Sequence, residues 1–125
     1  MSDFDSMVDR YLAVWNETDP AARRAAIDKV FAADVRYVDP MAAVDGPDAL
    51  NALIGAAQQQ FPGLVFTPGV LLDGHHDQAR FTWHLGPHGG DALVDGFDVV
   101  ELAADGRIHR VYGFLDRVPS PSAGS

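Results

Sequence analysis

The sequence predicts an α+β domain in which three N-terminal helices pack on one face of a curved antiparallel sheet and form a cone-shaped, apolar pocket. Three observations predict it. Apolar residues recur at helical spacing through the first half of the chain, long alternating segments joined by Asp/Gly turns fill the second half, and 125 residues suffice for one core. Residues 1–118 therefore read as a single domain, and the Pro/Ser-rich residues 119–125 as a flexible tail.

Phe4, Met7, Val8, Tyr11, Leu12 and Trp15 line one side of a helix predicted over residues 5–17, with Tyr11 and Trp15 one turn apart on its buried face. Asp19 supplies a cap and Pro20 a first position for a second helix reaching about residue 33. Residues 35–38 read as a short strand that stops at Asp39-Pro40, because proline has no N–H to give a ladder. Tyr37 and Asp39 then share a face. Gly46-Pro47-Asp48 opens a third helix with Leu50, Leu53, Ile54, Ala57 and Phe61 as its apolar stripe, closed by Pro62-Gly63. Strands follow at 64–72 and 78–85 around a turn at 73–77, and at 94–102 and 107–116 around a turn at 103–106. Ala79, Phe81, Trp83 and Leu85 alternate with Arg80, Thr82 and His84, which gives that strand one apolar and one polar face.

Composition narrows the function. The formal net charge is -9 and the pI about 4.6, a balance that repels phosphate backbones and anionic headgroups, so neither nucleic acid nor a membrane is the expected partner. There is no cysteine, which leaves chemistry to carboxylates, phenols and imidazoles. The N-terminal residues are acidic and no run of about 18 apolar residues occurs, so the expected location is the cytoplasm.

Three residues are candidates for chemistry. Asp98 lies in the even-numbered set Val94, Gly96, Asp98, Val100 and Leu102, where a carboxyl would be buried among apolar neighbours; if the odd set faces inward instead, Asp98 is solvated. Asp39 ends its strand either as a turn-forming Asp-Pro or as a site residue. Tyr11 is a core tyrosine or a donor. The hollow under the sheet is either filled or lined as a ligand-binding wall by Trp15, Tyr37, Phe81 and Trp83, with Ile54, Val100, Val111 and Phe114 as further wall positions. His75-His76 between Asp73 and Asp77 could suggest a metal, but adjacent strand histidines point to opposite faces, and no metal site is expected.

The segment Arg10-Tyr11-Leu12-Ala13-Val14-Trp15-Asn16, the element Val38-Asp39-Pro40 followed by Gly46, and Gly96-Phe97-Asp98 followed by Asp105-Gly106-Arg107-Ile108 resemble the ketosteroid isomerase-like and SnoaL-like branches of the nuclear transport factor-like superfamily. The likeness runs from Val8 to about Asp116 and implies a cystatin-like roll. It also implies proton transfer beside a carbonyl without a cofactor, either isomerase-like or polyketide cyclase-like. Asp39 would be the base, and Tyr11 and a protonated Asp98 the oxyanion donors, acting on a small apolar carbonyl compound. Asp98 would have to be kept neutral at pH 7 by Val100, Leu102 and Trp15. Ile54 stands where some isomerases have a supporting tyrosine. A homodimer through the sheet, using Arg80, Thr82 and His84, is the expected assembly; a non-catalytic binding or dimerising domain of the same fold is the alternative.

Overall fold

The computed structural model describes residues 3–118, so the tail expected at 119–125 lies outside the described residues. Along the chain run α1 (Asp3–Asn16), α2 (Pro20–Val30), β1 (Phe31–Val38), β2 (Ala43–Asp45), α3 (Pro47–Gln60), β3 (Leu64–His75), β4 (Gln78–Pro87), β5 (Val94–Leu102) and β6 (Ile108–Arg117). The helices cover one face of a six-stranded sheet ordered β2-β1-β6-β5-β4-β3.

Local chemistry sets most boundaries. Asp19 caps α2 by accepting from the Ala22 N–H at 2.8 Å, with Pro20 in the first turn. The helix stops at Val30, three residues short of the expectation, because Phe31 and Ala32 turn extended and bury their side chains as the start of β1. The hairpin joining β3 to β4 is also tighter than expected. Residues 73–75 belong to the strand, and only His76, left-handed at φ 55, and Asp77 lie between the paired His75 and Gln78.

Two features of the sheet differ from the sequence expectation. β1 pairs with β6 in parallel, Tyr37 with Val111 and Val38 with Tyr112, so the sheet is not wholly antiparallel. A three-residue strand, β2, pairs back on β1 after a turn closed by the Asp39 N–H donating to the Ala42 carbonyl at 2.9 Å. The parallel pair matters for the site. It lays the end of β1 beside β6, whose Gly113 is in register with Asp98 of β5.

The C-terminal end of α1 is tied down twice. The Asn16 amide exchanges two hydrogen bonds with Phe66, each 2.8 Å, and so acts as a further peptide on the edge strand β3. Arg23, a buried guanidinium between α2 and α3, donates to the Glu17 carbonyl, Gln58 Oε1 and Asn51 Oδ1. Bonds from a charged donor contribute about 1.5–3 kcal/mol each. Gly55 makes room for it, since a Cβ there would lie 3.0 Å from Arg23 Nη2. These ties fix the helical turn that carries Trp15 and Tyr11. Among the described residues no helix is long and apolar enough to cross a membrane.

Candidate functional site

A cavity of about 670 Å³ opens between the sheet and the inner sides of α1 and α3. Its wall is mostly apolar, with Leu12, Leu53, Phe61, Phe66, Leu85 and Val94 among its residues. Apart from Gln60, its polar groups are those of Tyr11, Tyr37, Asp39, Trp83 and Asp98, and no Lys, Arg or His is among the described lining residues. Such a space suits a neutral, largely apolar molecule with an oxygen at one end.

Of the wall positions expected from sequence, Trp15, Tyr37 and Trp83 are on the cavity; Phe114 borders it, but its ring lies on the opposite face of the sheet. The Phe114 ring stacks on its cross-strand partner Phe97 at 4.9 Å and 12°. Phe97 is next to inward-facing Asp98 and so belongs to the sheet's other face. Ile54, Phe81, Val100 and Val111 are not on the cavity; they are fully buried in the core behind it. Alternation along a strand identifies the face a side chain takes but not its depth, and Phe81 lies deep enough to pack edge-on against the Tyr11 ring at 5.4 Å.

The three candidate residues converge on the same cavity. The even set of β5 is the buried one, and Asp98 is 3% exposed. The Tyr11 hydroxyl donates to Asp98 Oδ2 at 2.6 Å. Burial pushes the Asp98 carboxyl up to about 6; the donors Tyr11 and Trp83 draw it back down, and the charge of Asp39 raises it. Burial, followed by the charge on Asp98, likewise pushes the Tyr11 phenol well above its ordinary value. Tyr37 is pushed far up by burial and by the charges of Asp98 and Asp39. Burial thus moves Asp98 toward the neutral form that the resemblance implies, while in the free protein its Oδ2 accepts from Tyr11 and two donors offset part of the desolvation.

Asp39 forms the turn and also reaches the cavity wall. Its Oδ1 accepts from the Met41 and Ala42 N–H groups at 2.8 and 2.9 Å and closes the turn, while Oδ2 accepts from the Tyr37 hydroxyl at 2.7 Å. One acceptor position on Oδ2 remains, and the residue is on the cavity wall.

Sequence reasoning missed two glycines that shape the site. A Cβ on Gly113 would lie 2.9 Å from Asp98 Oδ1 and 3.2 Å from Asp39 Cβ, so its missing side chain leaves the space between the two aspartate side chains. A Cβ on Gly96 would run into the Trp83 indole. Both are inward-facing glycines of central strands, the pattern that marks a close approach, but their neighbours follow only from the register. At the histidine turn, His75 contacts Gln78 at 2.7 Å, and among the described residues no group of three or more His, Asp or Glu is placed to hold a metal.

A family profile described as the SnoaL-like domain matches residues 8–111. A solved structure of a SnoaL-like family protein from Agrobacterium tumefaciens strain C58, provisionally assigned as an isomerase, is 41% identical and superposes with a TM-score of 0.88 over 93% of this chain and 99% of that one. A protein from Sinorhizobium meliloti, provisionally assigned as a polyketide cyclase, shares the fold at 21% identity, with a TM-score of 0.68 over 90% of this chain and 99% of that one. So does a protein of cystatin-like fold from Nostoc punctiforme, at 15% identity, with a TM-score of 0.69 over 90% and 88%. No curated protein matches the sequence.

Proposed function

The chain belongs to the SnoaL-like family of the nuclear transport factor-like superfamily, and from that premise we propose that it catalyses cofactor-independent proton transfer beside the carbonyl of a small apolar molecule, as an isomerase or a cyclase. The observation that carries this reading is the buried Tyr11–Asp98 hydrogen bond at a cavity that Asp39 also lines. A ligand carbonyl oxygen enters beside Tyr11 and a protonated Asp98, both of which donate to it. Asp39 Oδ2 takes the proton from the neighbouring carbon, and the C–H electron pair becomes the enolate, whose negative oxygen the two donors stabilise. Return of the proton to another carbon gives an isomer; attack of the enolate carbon on a second carbonyl of the same molecule, whose oxygen then takes up the proton, gives a ring. The apolar wall excludes water and strengthens both donors.

The test is titration of a naphtholate, which mimics the enolate oxygen, against wild type and Tyr11→Phe. Loss of one hydrogen bond to a charged oxygen is expected to weaken binding about 10- to 100-fold. Equal affinities would remove Tyr11 from the site's chemistry.

The three hydrogen bonds that hold Asp39 in its turn favour a second reading, a binding domain in which Asp39 is structural. Under it, Asp39→Asn leaves ligand affinity unchanged and no solvent deuterium enters a bound ketone.

A homodimer through the outer sheet face accompanies either reading. That face carries the stacked Phe97 and Phe114 along with Arg80, Thr82 and His84, and Tyr112 and Phe114 are exposed. Sedimentation at micromolar concentration is expected to give a dimer, and a monomer would contradict this.

A further inference from the structure

Trp15 carries a polar atom that the scheme above leaves unused. It sits one helical turn after Tyr11 on α1, with the two rings 6.4 Å apart, and its indole is wedged against Tyr37 at 5.5 Å and Phe66 at 5.3 Å. The side chain is 6% exposed. Its N–H is buried and makes no hydrogen bond. A buried donor left unmet costs stability, and native proteins seldom keep one without a use. Because the nitrogen itself is buried, a ligand in the cavity meets the ring rather than the N–H.

The indole follows Tyr11 by one turn of the same helix, its ring 6.4 Å from the Tyr11 ring, and it draws the pKa of the Tyr11 hydroxyl down against the burial that raises it. In the free protein that hydroxyl spends its proton on Asp98 and keeps a lone pair unused. When Tyr11 donates to a ligand oxyanion instead, negative charge spreads onto the phenol oxygen, and a donor aimed at that oxygen strengthens through the chain. We propose that the Trp15 indole N–H is a positioning donor for Tyr11, unmet in the free protein and completed when an oxyanion forms in the cavity. Such a contact favours the charged intermediate over the bound ketone, which is the differential stabilisation that raises a rate. The inference rests on the reading of Tyr11 as an oxyanion donor.

The experiment is a double-mutant cycle. Affinities for a naphtholate and for the methyl ether of the same naphthol are measured with wild type, Trp15→Phe, Tyr11→Phe and the double variant. Trp15→Phe is expected to weaken the naphtholate about three- to tenfold more than the ether, and this difference is expected to vanish in the Tyr11→Phe background. Equal weakening of both ligands, or a difference that survives in the Tyr11→Phe background, would overturn the proposal and leave Trp15 as wall only. Were Tyr11→Phe itself without effect, the oxyanion reading would fall and this inference with it. Benzothienylalanine at position 15 keeps the indole's shape without the N–H; it should reproduce the Trp15→Phe result, and wild-type affinity for the naphtholate would overturn the proposal even if Trp15→Phe fails to fold.

Discussion

Gly113→Ala is expected to weaken naphtholate binding about 100-fold while the protein stays folded, since displacements near 1 Å at a catalytic constellation carry costs of that size. Gly113 lies on β6 between the end of β1 and β5, where the parallel β1–β6 pair brings Asp39 and Asp98 together. A methyl group there would sit 2.9 Å from Asp98 Oδ1 and 3.2 Å from Asp39 Cβ, closer than the first contact allows. The Asp98 carboxyl has little freedom to retreat. Its Oδ2 is held by Tyr11 at 2.6 Å, so either that bond or the placement of Asp39 must give. The backbone does not need glycine at this position, because Gly113 is not among the residues with positive φ. The loss of stability should therefore be limited to the displaced contacts, about 1–3 kcal/mol, and leave the protein folded. Wild-type affinity in Gly113→Ala, measured by calorimetry, would mean that the two carboxyls do not act together on a ligand.

Asp98→Asn should remove a pH-dependent loss of stability that amounts to about 3 kcal/mol in wild type. The folded carboxyl is pushed up to about 6, whereas an unfolded chain holds it near the ordinary aspartate value of about 4. Below about pH 4 both states are protonated and nothing is lost. As pH rises from about 4 to about 6 the unfolded state ionises first, so folding becomes less favourable; above about 6 both are ionised and the loss is complete. Urea unfolding of wild type and variant between pH 4 and pH 8 isolates this contribution as the change in their difference. The variant should gain on wild type across that window. A difference that stays constant with pH would place Asp98 in contact with water and end its role as a buried acid.

Much of the architecture was legible because its signals are local. The stripe on α1, the Asp19-Pro20 start of α2, the Pro62-Gly63 stop after α3 and the two hairpins all rest on residues within a few positions of each other. What was missed is non-local or too short to carry a pattern. The parallel β1–β6 pair joins segments about 75 positions apart, and β2 is three residues inside what reads as a turn. At the site, alternation left either face of β5 open for Asp98 and the register of the sheet turned the even set inward, whereas the shared parity of Tyr37 and Asp39 put them on one face, where they are hydrogen-bonded. Depth was not legible. Ile54, Phe81, Val100 and Val111 have the right character for a wall, but they lie in the core because other side chains stand between them and the cavity. Gly113 gave no signal of its own, since its importance lies in two carboxyls supplied by other strands.

Carbon-13 NMR titration of the Asp98 carboxyl, in the free protein and with bound naphtholate, reaches the central claim most directly. The free carboxyl should titrate at about 6 and move upward when the ligand's negative oxygen takes a hydrogen bond from it, so that it holds its proton at pH 7. A carboxyl that titrates near 4, or whose midpoint falls when the ligand binds, would contradict an acid that donates to an oxyanion in this cavity.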